Sequence, residues 1–182
     1  MSSIYLIRHG MTEANLRHLY CGSTDLPLSD AGAKALADLS YPIHASRYVT
    51  SGMKRTNQTL TLLLGDVPFT EDPQLREVDF GVFEMHSYDE LKDREDYQLW
   101  LSGCNEENTP PGGESGAHMT RRVMEAFRRY AALDEDVVLV THGGVIAAIM
   151  AQLFPEDGKN RYQWQPPCGH GYLLRNGTYQ AF

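Results

Sequence analysis

Two short stretches, far apart in the chain, end in residues able to handle an anion. The first is Ile4-Tyr5-Leu6-Ile7-Arg8-His9-Gly10, and the second is Val137-Val138-Leu139-Val140-Thr141-His142-Gly143-Gly144. Arg8 offers a planar fork of donors suited to phosphate or carboxylate, and His9 a nitrogen that can attack or shuttle a proton. Between them lies Arg55, in the first turn of a helix that follows Arg47-Tyr48-Val49-Thr50. Helical side chains lean toward the N-terminus, so Arg55 is expected to point back to the end of that strand. The Gly143 and Gly144 amides open a further helix, a natural site for negative charge. Arg8, His9, Arg55, His142 and free backbone donors would form a cup for a tetrahedral dianion.

Residues so distant in sequence meet if their strands are parallel neighbours, because the carboxyl ends then share one edge of the sheet. The pattern supports this. Ile4–Ile7, Arg47–Thr50 and Asp136–Thr141 read as buried strands, the last a continuous apolar run suited to burial on both faces. Helices are expected over Asp30–Leu39, with Ser29 as its cap and Ala31, Ala35, Leu36 and Leu39 on one face, and over Met53–Leu64, Tyr88–Trp100, Gly116–Ala132 and Val145–Leu153. Val67–Thr70 reads as an edge strand because of its proline. Asn176-Gly177 between Tyr172–Leu174 and Thr178–Gln180 is a hairpin signal. The expectation is an α/β fold, a three-layer sandwich with a mostly parallel central sheet flanked by helices. One domain over residues 1–182 is expected, with a lid-like excursion at about 78–115.

With 182 residues and 42% hydrophobic content, the composition is that of an ordinary globule. A formal net charge of −8 argues against a general nucleic-acid partner while allowing a local basic pocket. Cys21, Cys104 and Cys168 are odd in number and without C-x-x-C spacing, which reads as free thiols in a reducing compartment. There is no apolar run of membrane-spanning length and no basic region followed by a signal core, so neither a membrane partner nor export is expected, and the location is expected to be cytoplasmic. The histidines lack HExxH or zinc-ribbon spacing, so no metal is implied. His18, His44, His86, His118 and His170 read as surface or turn residues, His86 and His118 flanking the excursion. Arg121, Arg122, Arg128 and Arg129 read as a solvated helix face. The oligomeric state is not set by any of these features.

The chain resembles the histidine phosphatase, or phosphoglycerate mutase-like, superfamily over almost its whole length. The resemblance rests on blocks in order: Ile7-Arg8-His9-Gly10-Met11-Thr12-Glu13-Ala14-Asn15 with Gly22, Asp25, Pro27-Leu28-Ser29 and Gly32; Thr50 to Thr59; Leu75-Arg76-Glu77-Val78-Asp79-Phe80-Gly81-Val82-Phe83-Glu84; Pro111-Gly112-Gly113-Glu114-Ser115 with Arg122; and Val140 to Val145. It implies a phosphomonoesterase without cofactor, acting on a small phosphorylated metabolite through a phosphohistidine on His9. In that scheme Glu77 is the general acid, Arg8, Arg55 and His142 hold the phosphoryl oxygens, and Asn15, Gly22 and Gly143 contact substrate. Taken singly, Arg55 reads as a solvated helix residue and Glu77 as an exposed loop carboxylate; the company of the other blocks makes them site residues. Met11 stands where the family usually has Glu, Met85 where many members have Gly, and Cys21 at a spot often polar. The resemblance favours hydrolysis over mutase-type transfer, since the mutases are usually longer. Phe80 to His86 looks like the branch of alpha-ribazole phosphatases. A phosphoryl transferase and a non-catalytic phosphate-binding regulator are the alternatives.

Overall fold

Strand β4, Val137–Thr141, explains the layers. All five residues are buried. Successive side chains point to opposite faces, and Val137 and Leu139 join one core while Val138 and Val140 join another. A strand of this kind belongs between two layers of helix, and that is what forms. The structure, a computed structural model, describes residues 2–182. Its six strands are β1 (Ile4–Arg8), β2 (Arg47–Thr50), β3 (Thr70–Glu71), β4, β5 (Gly171–Arg175) and β6 (Thr178–Ala181), in the order β3-β2-β4-β1-β5-β6. β1, β2, β3 and β4 are parallel, and β5 runs antiparallel to β1 and to β6. The three-layer, mostly parallel architecture is as expected from sequence.

The helices are α1 (Glu13–Leu16), α2 (Asp30–Ala37), α3 (Lys54–Leu64), α4 (Tyr88–Leu91), α5 (Glu95–Leu101), α6 (Gly116–Ala131), α7 (Gly143–Leu153) and α8 (Arg161–Trp164). Leu36 of α2 and Leu60 and Leu63 of α3 pack on Ile7, Val138 and Val140; Val123 and Phe127 of α6 and Ile146 and Ile149 of α7 pack on Leu6 and Leu139. Ser29 caps α2, accepting from Gly32 N at 3.0 Å. The buried face of α2 is Gly32 and Leu36, whereas Ala31 and Ala35, expected inside, are exposed. The hairpin turn has Asn176 and Gly177 at φ 53° and 71°, the left-handed pair that matches strand twist.

One expected helix is broken. Tyr88 to Trp100 forms α4 and α5, separated at Lys92-Asp93-Arg94. On a continuous helix Leu91 and Tyr97 would lie about 120° apart. The break brings both into one small core with Phe83, each at most 1% exposed. Met85, in this region, takes φ 61°, a left-handed conformation that explains why glycine suits the position.

β1 is held closely on its β5 side, where Ile7 faces Gly171. A Cβ on Gly171 would overlap the Leu6 carbonyl oxygen, an atom unable to move without breaking the ladder. Gly171→Ala is therefore expected to destabilise the fold by about 2–3 kcal/mol, the upper part of the range for overpacking, read as a lowered urea midpoint with unchanged slope.

Candidate functional site

Register places the chemistry. Arg8 pairs with Thr141, and Thr50 with Val140, so the residues that follow, His9, His142 and Ser51, emerge side by side at the carboxyl edge. Alternation then divides them. Arg8 lies on the α7 side, while His9 and His142 turn toward α3. Their rings sit edge to face with centroids 5.1 Å apart. His9 is 6% exposed, and His142 and Arg55 are each 1% exposed.

Each histidine has a defined tautomer. His9 Nδ1 lies 2.6 Å from the Gly10 carbonyl, which only accepts, so Nδ1 carries the proton and Nε2 keeps its lone pair. The Gly10 peptide is itself anchored, its N–H donating to Thr59 Oγ1 at 2.9 Å, and Thr59 Oγ1 donating to the Arg55 carbonyl. For His142, Arg55 Nε–H points at Nδ1 from 3.4 Å, so the proton is on Nε2. It passes into a chain: Nε2 donates to Ser51 Oγ at 2.9 Å, Ser51 to Thr56 Oγ1, and Thr56 to the Met53 carbonyl. Both rings are held neutral. His9 is pushed down to about 3 by burial first, then by the Arg55 charge, with Arg8 adding less and the Gly10 bond opposing. His142 is likewise lowered, by burial and then Arg55.

Arg55 spends donors on the chain as well as facing the cup. Its Nη1 and Nη2 reach the carbonyls of Thr24 and Gly22 at 2.9 and 2.8 Å. Glu84 grips the same loop from the other side, accepting from the amides of Gly22, Ser23 and Thr24 and from Thr24 Oγ1. Gly22, expected at substrate, thus has its amide committed to Glu84 and its carbonyl to Arg55. Cys21 turns back into this loop, its thiol raised by burial. Asn15 forms the capping box of α1 with Thr12 through Oδ1. Arg8 donates from Nη1 to the Pro166 carbonyl at 2.8 Å, and its Nε has no protein partner.

Glu77 is at the cup, but not as a free carboxylate. Oε2 accepts from Gly144 N at 2.8 Å and Oε1 from Val78 N at 3.0 Å. The Gly144 amide, expected to await an anion, is occupied by this side chain. Only glycine allows the approach, because a Cβ at 144 would overlap Glu77 Oε1.

Sequence reasoning missed what holds Glu77. Arg122 is not a solvated residue. It donates to both oxygens of Glu114, at 2.8 and 2.7 Å, and to the carbonyls of Gln74, Arg76 and Glu77. A single guanidinium therefore fixes three carbonyls of the loop that carries the carboxylate. The only sequence signal was the recurrence of Glu114 and Arg122 in one motif block. His118 adds a bond to Glu114 Oε1 at 2.7 Å from an exposed position, and His86 bonds the Glu84 carbonyl. Among the described residues no cluster of three or more potential metal ligands occurs.

A parallel-sheet edge presenting paired histidines, two arginines and a carboxylate at a helix start defines a class of phosphate-handling α/β proteins. The chain belongs to one family within it: the model of the histidine phosphatase superfamily, branch 1, matches residues 4–175. It is 34% identical over 159 residues to an adenosylcobalamin/alpha-ribazole phosphatase of Salmonella typhimurium, covering 82% of this chain and 78% of the relative. It is 30% identical over 168 residues to a 2,3-bisphosphoglycerate-dependent phosphoglycerate mutase of Gloeobacter violaceus, with 84% and 76% covered. The structure is similar to that of an alpha-ribazole phosphatase from Shigella flexneri, with a TM-score of 0.81, 27% identity, and 99% and 94% of the two chains covered.

Two outcomes test this geometry. If Arg122 positions Glu77, Arg122→Lys keeps a charge but loses the fork. Hydrogen exchange at the Val78 and Gly144 amides should then speed up about tenfold, the loss of ~1.5 kcal/mol of charged hydrogen bonding, while β4 amides keep their protection. The second concerns pH. The unfolded chain protonates His9 near its ordinary 6.5, but the folded one stays neutral to about 3. Stability from this group is thus full above the ordinary value and falls as the solution is acidified toward the folded one. The slope between them approaches about 1.4 kcal/mol per pH unit. Urea titrations of His9→Asn should show a pH slope shallower by about that amount over roughly pH 4–6.

Proposed function

We propose that the protein is a phosphomonoesterase that hydrolyses a small phosphorylated metabolite through a phosphohistidine on His9. The observation that carries this reading is the Nδ1–H bond to Gly10, which leaves Nε2 of a buried, neutral imidazole as the free lone pair beside two arginines. In this reading Nε2 attacks phosphorus and the ester P–O bond breaks. Arg8, Arg55 and the Gly143 amide hold the phosphoryl oxygens as charge redistributes, and His142 joins them when its Nε2–H turns from Ser51 Oγ to a phosphoryl oxygen, a task of positioning and electrostatics. Asn15 borders the pocket.

Glu77 acts as the general acid and gives a proton to the departing oxygen. One oxygen stays on the Gly144 amide, which keeps the carboxyl aimed. Water then attacks phosphorus as Glu77 takes up its proton, the P–Nε2 bond breaks to return neutral His9, and inorganic phosphate leaves. No metal or cofactor takes part. The segment at about 78–115 serves as a lid over the cup, and the enzyme acts in the cytoplasm. Alpha-ribazole 5′-phosphate is the substrate we favour, supported by the names of the similar proteins and by Phe80 to His86. The similar mutases support a second reading, transfer to an acceptor, in which a phosphorylated product would replace free phosphate.

Rapid quenching with a 32P-labelled phosphomonoester should give a protein-bound label that is acid-labile and base-stable. It should disappear in His9→Ala. Label on a serine, cysteine or aspartate would sink the mechanism.

A further inference from the structure

When water takes the place that the alcohol leaves, the cup is poorly furnished to hold it. A water whose lone pair faces phosphorus has both hydrogens pointing away, and each needs an acceptor. The groups around the phosphoryl are donors: Arg8, Arg55, the Gly143 amide and, once turned, His142. His9 Nε2 is bonded to phosphorus at that stage, and Asn15 Oδ1 is committed to the Thr12 amide. Glu77 accepts one hydrogen. A second acceptor is needed, and Gln165 is placed to supply it.

Gln165 Oε1 stands 3.0 Å, and the Arg8 guanidinium 3.1 Å, from where a Cβ on Gly143 would be. The carboxamide and that arginine therefore adjoin at the first residue of α7. Glu77 meets the next residue, where a Cβ on Gly144 would overlap its Oε1. The two glycine Cα atoms are about 3.8 Å apart, so carboxamide and carboxylate flank one short stretch of backbone. Gln165 and Val78, the residue after Glu77, also line one cavity of about 190 Å³. That is room for several waters at roughly 30 Å³ each.

The side chain is free, but its backbone is not. Gln58, Gln98 and Gln163 commit their carboxamides to backbone groups, whereas among the described residues that of Gln165 has no hydrogen-bond partner. On one side of it Trp164 is fully buried and packed on Phe154, Tyr172 and Tyr179. On the other, Pro166 restricts the chain, and its carbonyl accepts from Arg8 Nη1 at 2.8 Å. A half-buried polar group held in this way, with nothing of the protein to bond, is preset for a ligand.

We infer that Gln165 is a further catalytic residue, which holds the water that hydrolyses the phosphohistidine. The inference rests on the phosphomonoesterase reading and deepens it. One hydrogen of the water bonds to Gln165 Oε1 and stays on its oxygen. The other passes to Glu77 as that oxygen bonds to phosphorus and the P–Nε2 bond breaks, its electron pair returning to His9. An alcohol carries a single hydroxyl hydrogen, which Glu77 alone can take. Gln165 thus favours water over an alcohol as acceptor, and hydrolysis over transfer.

The test follows p-nitrophenyl phosphate with and without glycerol as a competing acceptor. The nitrophenolate burst reads formation of the phosphohistidine, and glycerol phosphate against free phosphate reads its fate. In Gln165→Leu and Gln165→Met the burst rate should stay within about twofold of the parent, while dephosphorylation by water slows about tenfold or more. The ratio of glycerol phosphate to phosphate should rise about fivefold or more, because only water loses an acceptor. The side chain bonds no protein group, so both variants should keep the parent's urea midpoint, and either one decides if the other fails to fold. An unchanged ratio, or equal losses in both half-reactions as a merely structural role would give, would overturn the inference and leave the phosphatase reading standing. Absence of an acid-labile label on His9 in the parent protein would overturn that reading, and the inference with it.

Discussion

The organising constraint is a pair of positive charges, Arg55 buried and Arg8 half-buried, without carboxylate partners. Among the described residues neither Arg8 nor Arg55 makes a salt bridge, although the chain carries an excess of acidic residues. Removing a guanidinium from water is costly unless other groups replace the solvent. Here the replacement is partial: carbonyls of Gly22, Thr24 and Pro166 take part of each fork, and Arg8 Nε goes without. The two histidines adapt by staying neutral, which avoids adding charge to charge. The site is thus electrostatically incomplete, and a phosphate dianion completes it.

That imbalance demands rigid surroundings, because a loose cup would collapse its arginines onto the nearest carboxylate. Two clamps prevent this. Arg55 and Glu84 hold opposite edges of the Gly22–Thr24 loop, one by its carbonyls and one by its amides. Arg122, itself held by Glu114, fixes the carbonyls of the loop that ends in Glu77. In each, a charged side chain is spent on backbone so that a neighbouring group keeps its aim. Glu84 is therefore a structural carboxylate, fully occupied by amides.

How much of this was legible in the sequence follows from the range of each interaction. β4 announced itself because burial on two faces leaves a run of apolar residues. From that run, the parallel pairing and the meeting of His9 with His142 followed as geometry. The roles of Arg122 and Glu84 were not legible, since their partners are backbone atoms tens of residues away and carbonyls have no sequence signature. The split between α4 and α5 was hidden for a related reason: Leu91 and Tyr97 have to share a core with Phe83, and local propensity at Lys92-Asp93-Arg94 gives no hint of it. Gly144 looked like an open anion site because its occupant, Glu77, lies 67 residues away.

The placement of β1 has a consequence for synthesis of the protein. It is made long before its sheet neighbours β4 and β5, with Ile4 paired to Val137 on one side and Leu174 on the other. Such long-range pairing is slow to form and waits for its partners to be made. Until β4 and β5 have emerged, β1, which leads into His9, is an unpaired apolar strand and the cup does not exist. A nascent or truncated chain lacking the C-terminal hairpin leaves one side of β1 open, a sticky edge that would draw chaperones or other chains before it could bind phosphate.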